Sequence, residues 1–561
     1  MKAKTLIVSM GAALCALMMS CGQQAPTVKN GLMTPGNPYL PLWEHIPDGE
    51  PYVFEDPDKP GEYRVYIYGS HDSRITDYCG RELVVWSAPT DSLHQWRYDG
   101  VILRVDRNAK DELLDSAGLA DVLFAPDVTM VEDSTGQKTY YLYPNDQHGG
   151  RNGLVAKSNR PDGPFTVCNW SEKDPNATEG VLAFDPAVMV DDDGRVYGYW
   201  GFGHSMAAEL DPKTMATVKP GTKVVDGMIP GYQEQPGNEF RFFEASSIRK
   251  IKDKYVFIYS RWTADGEYGL PESNYTLAYA YGDHPLGPWT YGGTIIDGRG
   301  REISEQGDTI ASATVNGNTH GSICEIGGQW YVFYHRQCGL DEFSRQAMVA
   351  PITVKVEEGA GGKVEISEGE YTSEGFALEG LDPLERHSAG IACWYTGPKP
   401  AEHNWPKKIF YGSYVATSYG TTDRAISKEA LESQEKYGAP YDLQYNTNYV
   451  VNNTAGSIVG YKYFNFTETN GEDDLQLLLR LTPEGVDGTI TVMADRPWES
   501  QGGVKVGSFD LKADMPKTST EVAIDVPVLA EMTGKHALFF VFSSKTKEKS
   551  ICTLEDFAFS Y

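Results

Sequence analysis

Four acids and a histidine, Asp48, Asp127, Asp185, Glu244 and His320, stand at one phase of a recurring pattern in this chain of 561 residues. Each leads a short apolar segment. The copies are Pro47-Asp48-Gly49-Glu50-Pro51, Ala125-Pro126-Asp127-Val128, Phe184-Asp185-Pro186-Ala187-Val188, Phe243-Glu244-Ala245-Ser246-Ser247-Ile248 and Thr319-His320-Gly321-Ser322-Ile323. Polar residues often open strands simply as turn formers, but this set at one phase points to convergence. Carboxylates gathered in one small volume cannot all ionise, because burial and like charge both favour the neutral form. One then keeps its proton while another stays ionised. That pair suits hydrolysis of a glycosidic bond: the acid protonates the departing oxygen and the carboxylate activates water on the opposite face.

For these residues to meet, the elements carrying them must surround an axis. An aromatic strand follows each copy: Tyr66-Ile67-Tyr68, Tyr141-Leu142-Tyr143, Tyr197-Gly198-Tyr199, Phe257-Ile258-Tyr259 and Val332-Phe333-Tyr334. The interval of about 56 to 75 residues holds one four-stranded sheet plus loops. Turn signals such as Asp193-Gly194 and Gly327-Gly328 precede several of these strands. Asp162-Gly163-Pro164-Phe165 and Leu286-Gly287-Pro288-Trp289 echo each other as the approach to an outer strand. An all-β fold is expected, with a five-bladed β-propeller over 37–380 whose innermost strands line a central channel. The alternation fades after Val356. It returns beyond Tyr449 in Ile458–Phe466, Leu475–Leu481, Thr489–Met493, Thr520–Ile524 and Ala537–Phe542, which predicts a jelly-roll-like β-sandwich over 381–561.

A formal net charge of -29 repels nucleic acid and strongly acidic polymers and leaves neutral sugars as partners. Lys2 and Lys4 precede an apolar run from Leu6 to Met19, and Ser20-Cys21-Gly22 follows. That order resembles the lipobox of bacterial lipoproteins. It implies a signal peptide over 1–21 with Cys21 lipidated, a tether over 22–36, and an exported chain held by lipid at the periplasmic face or cell surface. Cys79, Cys168, Cys324, Cys338, Cys393 and Cys552 form no CxxC pair, so neither a zinc site nor a redox motif is indicated.

Three segments together resemble glycoside hydrolase family 43, a likeness that runs from about Asn37 to Ile352. They are Leu182–Val188 with Val190-Asp191-Asp192-Asp193-Gly194, Phe243–Lys250, and Asn318–Ser322 with Trp330-Tyr331 and Tyr334-His335. The resemblance implies Glu244 as general acid, Asp185 as the residue that tunes its pKa, and an inverting mechanism. The general base is Asp48, with Glu50 as runner-up, because the family's Asp-Pro is here spread over Asp48-Gly49-Glu50-Pro51. Asp127 joins the channel as a substrate-binding residue. His320 is a substrate-binding residue there, with a role linked to water or, through water, to a cation; the family needs no cofactor, though it admits calcium in the channel. Trp86, Trp200, Trp262 and Phe243 are candidates to stack on sugar faces, and Arg345 to bond a substrate hydroxyl. Substrates implied are terminal pentoses of plant cell-wall polysaccharides or oligosaccharides, cleaved by a β-xylosidase or α-L-arabinofuranosidase. Endo-arabinanase or galactan-cleaving activity on the same fold, or non-catalytic glycan binding, remain as alternatives. The stretch Gly456–Tyr463 is loosely similar to a family 6 carbohydrate-binding module.

Overall fold

The computed structural model describes residues 36–73, 77–114, 122–146, 153–314, 317–417 and 448–561. Cys21 and the apolar run before it lie outside the described residues. The fold is all-β, with only single-turn 3₁₀ helices among the described residues, and none of these helices is long and apolar enough to cross a membrane.

Five antiparallel sheets follow one another from Glu50 to Ile352. The first is β1 (Glu50–Glu55), β2 (Tyr63–Tyr68), β3 (Glu82–Pro89) and β4 (Arg97–Arg104). The second is β5 (Leu123–Glu132), β6 (Lys138–Asp146), β7 (Ala156–Ser158) and β8 (Thr166–Val167). The third is β9 (Ala187–Val190), β10 (Val196–Trp200), β11 (Met206–Leu210) and β12 (Val225–Asp226). The fourth is β13 (Phe242–Ile251), β14 (Lys254–Thr263), β15 (Ser273–Gly282) and β16 (Thr290–Asp297). After a small hairpin of β17 (Arg301–Ile303) and β18 (Thr309–Ala311), the fifth has three strands, β19 (Ser322–Ile326), β20 (Gln329–Gln337) and β21 (Arg345–Ile352). Within each sheet the strands lie in chain order, so every connection is a local antiparallel return.

Each aromatic segment read from the sequence is the second strand of its sheet. Its rings fill the space between neighbouring sheets: Tyr66, Tyr68 and Leu83 pack with Leu123, Val128 and Leu142, while Tyr197 and Tyr199 pack with Ile248 and Phe257. The first strands close a ring. β1 packs on β5, β5 on β9, β9 on β13, β13 on β19, and β19 returns to β1, where Gly49 bridges Gly321 in parallel. That closure gathers residues distant in sequence around one channel.

From His387 onward the described strands form two larger sheets and a two-stranded hairpin. One runs Tyr414–Val415, Val450–Val451, Cys552–Ser560, Gln476–Pro483 and Thr520–Asp525, with His387–Ser388 also paired to Cys552–Ser560. The other runs Trp394–Thr396, Ile458–Asn465, Lys535–Ser543, Gly488–Ala494 and Val504–Leu511. Leu477, Leu479 and Leu481 point inward at period two, as a strand with one buried face requires. One apolar cluster joins the fourth and fifth sheets to the C-terminal strands: Ile258, Ile323, Val332 and Tyr334 belong to it together with Phe464, Leu477 and Phe540.

Candidate active site

The residues that lead the inner strands enter the ring through strained turns. Asp48 (φ 60°), Asp185 (φ 44°) and Ala245 (φ 68°), next to Glu244, all sit in the left-handed region. Non-glycine residues hold such angles at a cost of about 1–3 kcal/mol each, so they persist where the surrounding structure fixes them. Glu244 also stands at a break in pairing: it opposes Ser260, whereas the next paired residue, Ser247, opposes Ile258. A bulge of this kind re-aims a side chain out of simple alternation. Asp185 is fixed by Asn145, which donates to its Oδ1 at 2.8 Å, and by the backbone of Ala245.

Asp48, Asp185 and Glu244 are all buried and lie within electrostatic reach of one another. Burial, then the charges of Asp185 and Asp48, push the Glu244 carboxyl well above the usual range. Burial and Asp48 push Asp185 up to about 7. Asp48 moves the other way. Burial would raise it, but Arg345, His335, His320 and the Ser70 hydroxyl hold it below its ordinary value. Arg345 Nη1 donates to Asp48 Oδ1 at 3.0 Å, and Ser70 Oγ donates to Oδ2 at 2.6 Å. The backbone N–H of Asp48 donates to His335 Nδ1 at 3.3 Å. One site therefore biases one carboxyl toward its neutral form and another toward its ionised form.

Glu50 and Asp127 belong to a second layer of the channel. Arg249 Nη2 donates to Glu50 Oε2 at 2.8 Å, and its guanidinium carbon lies 4.5 Å from the Tyr52 ring centre. Tyr52 in turn donates to Asp127 Oδ1 at 2.6 Å, and the Val188 N–H donates to Oδ2, also at 2.6 Å. Both oxygens of Asp127, expected from the sequence to bind substrate, are thus engaged by protein groups that tie the first and third sheets to the second. Glu50, pushed up to about 7 chiefly by burial, faces Arg249 and Asp127, while Asp48 keeps company with Asp185 and Glu244.

His320 spans the two layers, with Nε2 3.9 Å from Glu50 Oε1 and Nδ1 4.0 Å from Asp185 Oδ2. Burial pulls it down to about 4, so it is neutral above that pH. Glu50 Oε1 and His320 Nε2 are buried without a hydrogen-bond partner, which is where a channel ion would have to bind. Calcium takes about six to eight oxygen ligands. Here Arg249 already neutralises Glu50, and among the described residues no three His, Cys, Asp or Glu side chains gather as ligands.

Beside Glu244 lies a run of aromatic rings. Phe243 contacts Phe202, Tyr232 and Trp262 at centroid distances of 5.0, 5.6 and 5.0 Å, Tyr232 stacks on Trp262 at 5.0 Å, and Phe184 meets Phe202 at 4.9 Å. Phe202 is 54% exposed, so the wall opens to solvent. Phe243 and Trp262 lie together in this wall; Phe202 and Tyr232, on the loops around β11 and β12, were signalled only by ring type. Trp86 corrects the sequence reading. It is fully buried between Trp43 and Tyr98, and its Nε1 donates to Glu44 Oε2 at 3.0 Å, so it offers no face to a sugar. Trp200 is likewise core. Arg345 is a second correction. Its Nε and Nη2 donate to Asp72 at 2.9 Å each, Nη2 also reaches Cys79 Sγ, and Nη1 serves Asp48. Four of about five N–H donors are given to protein, so this buried arginine holds the Asp48 carboxylate in place.

Residues 49–358 match the model for glycosyl hydrolases family 43. The chain belongs to this family, and it is a glycoside hydrolase. A xylosidase/arabinosidase of Thermoclostridium stercorarium is 31% identical over 92% of this chain and 98% of that relative. A xylosidase/arabinosidase 43A of Humicola insolens is 30% identical over 50% of the chain and 86% of the relative. The solved family 43 arabinoxylan arabinofuranohydrolase of Bacillus subtilis, in complex with cellotetraose, aligns with 94% of this chain and 99% of its own at 20% identity and a TM-score of 0.42.

Proposed function

We propose that this family 43 chain removes terminal pentoses, as a β-xylosidase or α-L-arabinofuranosidase, from neutral oligosaccharides or polysaccharides of the plant cell wall by single-displacement inversion. The observation that carries the mechanism is the opposite ionisation of two carboxyls in one pocket: Asp48 held charged by Arg345, Glu244 held neutral by burial and by its acidic neighbours. Glu244 protonates the leaving oxygen, Asp48 draws a proton from water, and Asp185 keeps Glu244 protonated. Asp48 leads the first sheet and Glu244 lies in the fourth, which are not neighbours in the ring. That separation suits the wider spacing that leaves room for a water, about 6.5–9.5 Å against about 5–5.5 Å for retention. The names of the bacterial and fungal relatives support pentose substrates over galactans. The aromatic wall supplies apolar faces for sugar rings next to the acid. We read the five sheets as the blades of a five-bladed β-propeller over 37–380, and the two C-terminal sheets as a β-sandwich over 381–561.

Purified protein given aryl xylosides and arabinofuranosides is expected to release the pentose, with proton NMR showing the opposite anomer first. Glu244→Ala should cost about 10²–10⁴-fold on substrates with poor leaving groups and far less on activated aryl glycosides. Retention of configuration, or equal loss on both kinds of substrate, would overturn the scheme.

Cys21 stands behind an apolar run with the order of a lipobox, and the proposal includes a lipid anchor there. Labelled palmitate should enter the wild-type chain in a bacterial host and not Cys21→Ala. Equal labelling of the two sinks the anchor.

A further inference from the structure

A hairpin of the C-terminal part, Glu402–Asn404 paired with Lys407–Ile409, reaches back onto the loop between β20 and β21. Lys407 bridges Asp341 in antiparallel fashion, and the Lys408 N–H donates to Leu340 O at 2.8 Å. Lys408 is itself buried, with Nζ 3.4 Å from Cys338 O, and burial pulls it down to about 8. Gly339 adds an N–H to Val415 O at 2.8 Å. The loop so gripped leads directly into Arg345.

From the hairpin a chain of contacts runs to the active site. His403 makes an ion-pair contact with Glu342 Oε1, and Glu342 Oε2 accepts from the Tyr78 hydroxyl. The Tyr78 ring lies 4.9 Å from the Arg345 guanidinium carbon and meets Phe343 edge-on at 5.0 Å. Arg345 then donates to Asp48 and Asp72. A ring face under a guanidinium attracts it and fixes its plane, and a fork that serves two carboxylates tolerates little displacement.

We propose that this hairpin braces the general base: His403 and Glu342 are positioning residues that hold Tyr78 against Arg345, and thereby Arg345 on Asp48. The proposal rests on reading Asp48 as the base. The charged and titratable groups that face Asp48 are Arg345 from β21, His335 from β20, His320 ahead of β19, Cys79 ahead of β3, and Asp185 and Glu244 across the pocket. Burial holds both histidines down to about 4, so Arg345 is the one permanent cation in the set. Loosening it lets the Asp48 carboxyl rise. The acidic limb of kcat/KM, which reports the free-enzyme base, then moves to higher pH.

The test is the pH profile of the full chain carrying His403→Ala, Glu342→Gln or Tyr78→Phe, with Asp48→Ala as reference. The expected result is an acidic limb displaced upward by on the order of half to one pH unit in His403→Ala and Glu342→Gln, with KM nearly unchanged. Tyr78→Phe keeps the ring and should move the limb less. A merely structural hairpin would lower the melting temperature and the active fraction while the limb stayed in place; that result, read in His403→Ala should Glu342→Gln fail to fold, overturns the brace. Wild-type turnover in Asp48→Ala would instead remove the base assignment beneath it, whatever the hairpin variants do.

Discussion

Asp185 interacts with two carboxyls whose pKa values are pushed in opposite directions, and its own charge helps to set one of them. Pushed up to about 7, it is mostly neutral in mild acid and mostly charged only above that. Its push on Glu244 is therefore strongest in the pH range where Glu244 would otherwise lose its proton. A bell-shaped kcat/KM profile follows, with Asp48 protonating on the acidic side and Glu244 ionising on the alkaline side. In Asp185→Asn the negative neighbour is gone, the Glu244 carboxyl falls, and the alkaline limb should shift to lower pH by about one unit or more. The acidic limb should stay close to its place, since Arg345 dominates Asp48. Profiles measured on a substrate with a poor leaving group decide this, because only there is protonation limiting. An unmoved alkaline limb in Asp185→Asn would show that Asp185 contacts the sugar without tuning the acid.

At the scale of the element, the repeat phase was legible because strand period and turn residues act locally. The five aromatic segments are second strands, and Asp48, Asp185 and Glu244 reach one pocket. What alternation could not tell is which side of a strand meets substrate. β3 is buried on both faces, with Leu83, Val84, Val85 and Trp86 all fully enclosed, so its tryptophan carries no signal separating core from site. Bulges remove the same signal elsewhere: the pairing shifts around Glu244 and between Phe124 and Asp127 turn side chains out of register with the sequence pattern. Loops hide most. Phe202 and Tyr232 complete the aromatic wall from irregular segments, where neither period nor propensity points to a partner. Arg345 read from sequence as a hydroxyl donor because its true partner, Asp72, lies 273 residues away.

For the whole molecule, no axial acid lies beyond His320, so a chain ending near Gly380 would keep every residue of the triad. The structure argues that it would still fail. Arg336, fully buried, donates to Ala392 O at 2.8 Å and to Gly390 O, both beyond the cut. Lys462 contacts Glu302 and reaches Glu370 at 3.1 Å, and Arg496 reaches Glu302 at 3.2 Å. The stretch that resembles a binding module supplies this contact: Tyr461 is core, and Tyr463 donates to Glu370 at 2.8 Å. Hydrogen bonds to a charged group are worth about 1.5–3 kcal/mol each, so losing several rivals the roughly 5–15 kcal/mol that holds a typical protein folded. Cutting also exposes the apolar cluster that joins Ile323 and Val332 to Phe464 and Phe540. We therefore expect the 37–380 piece to be recovered aggregated or with a broad, early melt, and with little turnover. Co-expression with 381–561 as a separate chain should restore both a sharp melt and activity, because the lost contacts need no covalent link. A folded 37–380 piece with wild-type kcat/KM and an unshifted acidic limb would instead mean that the five N-terminal sheets hold Arg345 unaided, and would remove the hairpin's role together with the brace.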